Sequence, residues 1–515
     1  MTARRLEWGA VLLSIVALVG IIAVADRYAD GDMGHLMAVE VRLAQLLRSG
    51  DIWTAMRLWW ALIAPQPPIG YLPGILAYTV FGARAFVAPL TMGFVLLVGW
   101  DALRRMWGAR AWMAWVGLIA SPLVWLAVEQ HGRDLVAGVV LLQTLAWLQT
   151  TSGFRERRAA VMFGVWLGVG FMTKYTFPIF AVAPCLVAGV GLLRAPTRAR
   201  WSNLGFAVLG FLGPAGVWYA LRGAAVLHYA GFSYGEEMAG NTANLRDPWA
   251  LASLAYYPLS LRDALSLPGL GLVVVAVGVG LWTDRGRVGS CLAAVLGGLV
   301  VLSTVPEAID RYALPAFLAC VAMLPALDVH RLARVAVLAV FVPQAAATAH
   351  RFRPDAPVVI ASYEHALSSA GALAWPAPDT YRPSDLGVDS WNLRDAVRAI
   401  RQTQGQDTGT IGVLGGRGPE AGPSFATLLL AAARVGCHYD YATINIFPAP
   451  GAPDVFVGPL FDGSFPSAAF TTLYVVRPAN ADGAIDRWLN THIVKEQARF
   501  PGPKGATTIV YRVSR

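Results

Sequence analysis

Eleven mainly apolar stretches recur along the first 349 residues, most of them close to the roughly 20 residues that a helix needs to cross a bilayer. They lie at about 8–25, 84–103, 111–129, 134–151, 159–173, 176–193, 203–221, 266–282, 288–304, 311–327 and 332–348. A soluble helix hides one apolar stripe and shows water a polar face, and these stretches have no polar face to show. Charged residues make up only 14% of the 515 residues, against ~25% in soluble globular chains. An α-helical polytopic membrane protein is therefore the expected class. The same composition excludes a disordered chain and a small disulfide-stapled scaffold. The four cysteines, Cys185, Cys291, Cys320 and Cys437, show no paired spacing that would build a zinc site.

A net charge of +9 would suit a nucleic-acid binder, so the placement of the basic residues decides its meaning. Arg104/Arg105/Arg110, Arg155/Arg157/Arg158, Arg194/Arg198/Arg200, Arg285/Arg287 and Arg331/Arg334 follow every second stretch, and Arg4 and Arg5 precede the first. Cytoplasmic loops carry such an excess, so the N-terminus is expected inside and the C-terminus outside. The first stretch is read as a retained span, because Asp26-Arg27-Tyr28 follows it with no small-residue cleavage site.

Two outer loops are long, 26–83 and about 222–265. Within the first, 34–47 has the apolar periodicity of an amphipathic helix at the membrane surface, and Trp53, Trp59 and Trp60 suit an interfacial belt. The stretch 69–82 is too short to span and is expected as a surface or re-entrant helix. Beyond residue 350 the apolar stretches stop and Pro/Gly-rich turns begin. Helices are expected at 392–401, 424–434 and 483–489, and strands at 410–414, 454–457, 472–476 and 507–513. These predict a C-terminal soluble α/β domain, 350–515, on the outer side. Its run Gly412–Gly418 follows a strand but lacks the GxGxxG spacing and the lysine of a phosphate loop, so a glycine-rich turn is expected.

Ionisable groups at span ends cost several kcal/mol unless used or paired. On the expected outer side they gather in four places: Asp26, Asp30, Asp32, His35 and Glu40; Glu129 to Asp134; Lys174; and Glu307 to Tyr312. Acids and bases from four distant segments meeting one bilayer face predict a polar cavity there.

The ordered set resembles the GT-C glycosyltransferases, in particular the protein O-mannosyltransferase and lipid A aminoarabinose transferase branch. It consists of Asp32 after the first span, Pro67-Pro68 before a short helix, Asp134 opening the fourth span, Gly168–Lys174, and Arg311-Tyr312-Ala313-Leu314-Pro315. The resemblance covers residues 1–349. Two positions depart from the pattern: Met33 follows Asp32 where the family often has Glu, leaving Asp30 as an alternative match, and uncharged Gln66 precedes the proline pair.

The resemblance implies transfer of a sugar from a polyprenyl-phosphate carrier to an acceptor hydroxyl on a lipid, glycan or protein outside the cytoplasm. Asp32, or else Asp30, would be the base, and Asp134 would orient the site. Lys174, Arg311 and Tyr312 would meet the donor phosphate, with His35 and Gln66 as further substrate contacts. Asp32 and Asp134 would be the ligands of a divalent metal if the reaction uses one. It also implies inversion at the anomeric carbon and a bacterial inner membrane as the location. Two other functions compete, a transporter or lipid flippase and a catalytically silent scaffold of the same architecture. Against the transporter, the spans show no repeated halves with matching broken helices.

Overall fold

The computed structural model describes residues 3–25, 31–62, 67–84, 86–240, 251–304, 310–352, 393–404, 408–415, 438–446, 455–458, 472–477, 494–501 and 507–513. The chain is an α-helical polytopic membrane protein. Its helices are α1 (Ala3–Ala25), α2 (Gly31–Arg48), α3 (Ile52–Leu62), α4 (Leu72–Phe81), α5 (Val87–Trp107), α6 (Trp112–Ala120), α7 (Pro122–Glu129) and α8 (Arg133–Thr150). They continue with α9 (Arg157–Phe171), α10 (Phe177–Arg194), α11 (Arg198–Gly240), α12 (Leu251–Leu265), α13 (Leu267–Thr283), α14 (Arg285–Ser303), α15 (Leu314–Val321), α16 (Arg331–Arg351) and α17 (Leu393–Gln404).

Each of the eleven apolar stretches falls on a helix or a broken helix, but among the described residues only six helical segments are long and apolar enough to cross a membrane. A seventh counts if α12 and α13, bent by 105° at Ser266, form one span. The shorter pieces have local causes. Ser121 is extended (φ −77°, ψ 124°) ahead of Pro122, as a residue before proline prefers, so the stretch 111–129 becomes α6 and α7. The stretch 311–327 likewise divides between α15 and a 3-10 turn whose first residues include Pro325.

At the centre stands α8, buried along nearly its whole length from Arg133 to Leu148. Around it pack α5, α9, α10, α14 and α15. Eighteen residues of helix rise about 27 Å, close to the hydrocarbon thickness. Its C-terminal end meets the arginine clusters: Gln149 donates to Ser290 Oγ at 2.8 Å, and Asp284 holds Arg287 at 2.7 Å and Arg110 at 3.4 Å. Arg104 pairs there with Glu7 of α1 at 3.1 Å. The candidate site sits at the other end.

Helices α9 and α11 pack backbone to backbone. A Cβ on Gly164 would lie 1.9 Å from the Ala207 carbonyl oxygen, so only glycine permits the approach, in the small-xxx-small manner of membrane helix pairs. Gly168 continues the contact one turn later, and Tyr219 of α11 donates to the Phe171 carbonyl at 3.0 Å. This seam fixes the C-terminal end of α9, immediately before Lys174.

Helix α2 differs from the surface helix expected at 34–47. Leu36, Met37, Val39, Val41 and Leu43 are buried and Glu40 is fully covered, so α2 is enclosed. One apolar cluster joins Met37 and Val41 of α2, Tyr78 of α4, and Val397 and Ile400 of α17. Helix α3 is the interfacial element instead, with Ile52, Trp53, Met56 and Trp60 exposed and Arg222 stacked 4.1 Å from the Trp60 ring.

The C-terminal part is α/β. Strands β1 (Thr408–Gly415), β2 (His438–Ile446), β3 (Val455–Gly458), β4 (Thr472–Arg477), β5 (Val494–Pro501) and β6 (Thr507–Val513) form one sheet in the order β3-β2-β1-β4-β6-β5. The pairs β1–β2 and β1–β4 are parallel and the others antiparallel. Four of these strands are those expected from the sequence; β2 and β5 are additional. The helices expected at 424–434 and 483–489, and the end of the glycine-rich run at 416–418, lie outside the described residues.

Candidate active site

Three breaks in the helical framework converge where α8 begins. The first is Pro67-Pro68, which leads a 3-10 turn, Pro68–Tyr71, into α4. Proline at the first position of a helical turn loses no bond, and the turn is tied down by the Ile69 N–H, which donates to the Met172 carbonyl at 2.8 Å. The second is the link between α7 and α8, where His131 adopts a left-handed φ of 52° and the Gly132 N–H donates to the Ala127 carbonyl at 2.7 Å. That closure usually takes glycine. The third is the link Met172–Thr176 between α9 and α10, which carries Lys174; the Lys174 carbonyl accepts from the Phe177 N–H at 3.0 Å.

Asp134 lies in the first turn of α8, fully buried, where the helix dipole favours a carboxylate. Lys174 Nζ meets its Oδ1 at 2.5 Å, a charge-assisted contact, and both side chains are at most one-tenth exposed. The same ammonium lies 4.6 Å from the centre of the Tyr312 ring, within cation–π range. Tyr312 belongs to the 3-10 turn Asp310–Ala313, which opens α15. Next to Asp134, the Arg133 guanidinium covers the Tyr71 ring at 4.3 Å. A buried run Tyr71–Arg133–Asp134–Lys174–Tyr312 thus joins four segments far apart in sequence.

The structure therefore brings Asp134, Lys174 and Tyr312 together. Asp32 and His35 lie in the first two turns of α2, and Arg311 lies beside Tyr312 in its turn; these three side chains, and all of Asp30 and Gln66, are outside the described residues. Among the described residues no group of three or more His, Cys, Asp or Glu side chains is placed to hold a metal ion.

One arrangement goes beyond the sequence reading. Glu40 of α2 and His131 face each other with Oε2 and Nε2 2.9 Å apart, at no more than 2% exposure. The distance is that of an ion pair, yet among the described residues neither carboxylate oxygen nor either ring nitrogen has an aligned hydrogen bond. Gly74 of α4 lies against both: a Cβ there would be 2.0 Å from Glu40 Oε2 and 2.9 Å from His131 Nε2. Both residues stood among the outer-side polar groups of the sequence, but no spacing joined them. A glycine following Tyr71-Leu72-Pro73 was the sole further sign of a close approach.

No protein-family model matches this sequence. No curated protein matches it either. Solved structures do match the fold. The crystal structure of ArnT from Cupriavidus metallidurans in the apo state superposes with a TM-score of 0.63 at 15% identity, covering 99% of this chain and 98% of that one. The structure of ArnT from the same organism bound to undecaprenyl phosphate gives 0.59 at 16% identity, over 98% of each chain. Over essentially its whole length, the chain has the fold of ArnT, a lipid A aminoarabinose transferase of the GT-C class.

Proposed function

We propose that the chain is a membrane glycosyltransferase that moves a sugar from a polyprenyl-phosphate carrier to an acceptor hydroxyl on the outer side of the bacterial inner membrane. The observation that carries this reading is the buried Asp134–Lys174–Tyr312 group at the end of α8 opposite the arginine clusters. A carrier with a polyprenyl tail is confined to the bilayer, so its phosphate is met at the membrane surface, where α8 begins. The ArnT structure containing undecaprenyl phosphate supports the choice of carrier.

In the reaction, Asp32 takes the proton of the acceptor hydroxyl as its oxygen attacks the anomeric carbon. The bond from that carbon to the phosphate oxygen breaks, and the electron pair leaves with the lipid phosphate. Direct displacement inverts the anomeric centre. Lys174 and Arg311 supply positive charge where negative charge grows on the leaving group, and Asp134 holds the Lys174 ammonium in place. Asp30 is the alternative base, and His35 and Gln66 are the further substrate contacts.

The test is transfer from labelled polyprenyl-phosphate sugars by the purified full chain in lipid nanodiscs. The wild type is expected to label a lipid, glycan or protein acceptor, and Asp32→Asn to lower the rate by about 10²–10⁴-fold, as loss of a general base does. Absence of transfer from every such donor would overturn the reading. Unchanged transfer in Asp32→Asn would keep the enzyme and move the base to Asp30.

A further inference from the structure

We infer that Glu40 and His131 are positioning residues for this site: their buried contact seats α2 and α4 against the turn that opens α8, and so sets where Asp134 holds Lys174. The inference rests on the proposed function for the identity of the ligand, a lipid phosphate.

The pair is poorly explained as packing. Glu40 and His131 are buried almost completely, and their four polar atoms lack aligned hydrogen bonds among the described residues. Buried polar groups in that condition cost free energy, and an apolar pair of the same volume would be the more stable choice. His131 also takes a left-handed φ of 52°, a conformation that costs an L-residue roughly 1–2 kcal/mol relative to glycine. A third constraint comes from Gly74, where any side chain would collide with both partners. Three unfavourable choices on three elements meet at one contact.

What the contact joins gives it a purpose. Glu40 lies two helical turns after Asp32 on α2. His131 lies three residues before Asp134. Gly74 follows the Pro67-Pro68 turn, whose Ile69 N–H is bonded to Met172 beside Lys174. The base, the buried carboxylate and the phosphate-binding lysine are thus each one short segment from the Glu40–His131–Gly74 contact. A shift of α2 or of the α8 turn would move Asp134 relative to Lys174, and misplacements of about 1 Å are enough to cost such sites heavily.

The experiment measures stabilisation of the full chain by undecaprenyl phosphate in detergent, as a ligand-induced rise in Tm titrated to an apparent Kd. Variants are Glu40→Gln, His131→Gly, the exchange Glu40→His with His131→Glu, and Lys174→Ala as a control on the ligand site. His131→Gly relieves the left-handed backbone, which offsets part of the cost of leaving Glu40 without its partner. The inference predicts that Glu40→Gln and His131→Gly still fold, with the ligand-free Tm lowered by the loss of one buried partner, and in addition weaken the lipid about tenfold. The exchanged pair is expected to recover most of that loss. Wild-type affinity in both single variants would overturn the inference, as would weakening that the exchange leaves unrepaired. No stabilisation of the wild type by the lipid, or stabilisation unaffected by Lys174→Ala, would instead count against the proposed lipid-phosphate site.

Discussion

Lys174 and Asp134 form the buried ion pair on which the proposed chemistry rests, and each depends on the other. Removing one partner of a buried ion pair leaves a charge without compensation, which costs about 3–5 kcal/mol, whereas replacing both with apolar groups is often neutral. Asp134→Ala is therefore expected to lower stability by about 3 kcal/mol, and Asp134→Leu combined with Lys174→Met to restore most of it while abolishing transfer. Thermal unfolding in detergent read beside the transfer assay checks both outcomes. The residues of this pair were legible in the sequence because acids and bases at span ends are rare and costly. The second buried pair was not: nothing in spacing says that Glu40 reaches His131, since that meeting depends on how α2 is enclosed by α4 and the α8 turn. Sequence periodicity placed α2 at the membrane surface, and the burial of both its faces required knowledge of what lies above it.

Among the elements, the α9–α11 seam positions the turn that carries Lys174. Gly164→Val would drive a side chain into the Ala207 carbonyl, and overpacking of this kind typically costs about 1–3 kcal/mol. The expected result is a lowered Tm together with weakened lipid stabilisation; an unchanged Tm would show that the helices separate freely. Helix α3 offers a second check. The Thr54 N–H donates to Asp51 Oδ1 at 3.0 Å, and this backbone hydrogen bond, with one from the Thr54 side chain, holds the Asp51 carboxyl below its usual range. A depressed carboxyl contributes stability above its ordinary pKa of about 3.9 and loses it as pH falls through the folded value. Hydrogen exchange across 52–62 is therefore expected to be slower in the wild type than in Asp51→Ala at neutral pH, and the difference to vanish in acid. The apolar stretches were legible as helices because each is continuous. Their breaks at Ser121-Pro122 and at Ala322-Met323, just ahead of Pro325, are not legible, since a proline in the first turn of a helix looks the same in sequence as one inside a span. Strand β5 was missed for a different reason: it is an edge strand, and Lys495, Glu496 and Arg499 give it the charges that protect an edge and mask a strand pattern.

For the whole molecule, the proposed reaction requires one orientation. The arginine clusters and the candidate site lie at opposite ends of α8, about 27 Å apart along its axis. In a background with the four cysteines replaced, Ser49→Cys beside α3 is expected to react with a membrane-impermeant maleimide added to intact spheroplasts. Ser152→Cys, in the exposed turn after α8, is expected to react only after permeabilisation; the reverse pattern would put the site inside the cell. The proposed function requires that the outer end of α8 receive a lipid phosphate. A structure of the full chain with undecaprenyl phosphate measures this most directly. The phosphate is expected within hydrogen-bonding distance of Lys174 Nζ, beside Tyr312 and Arg311, with the tail running into the bilayer. Phosphate bound instead among Arg110, Asp284 and Arg287 at the opposite end, or at mid-membrane, would contradict it.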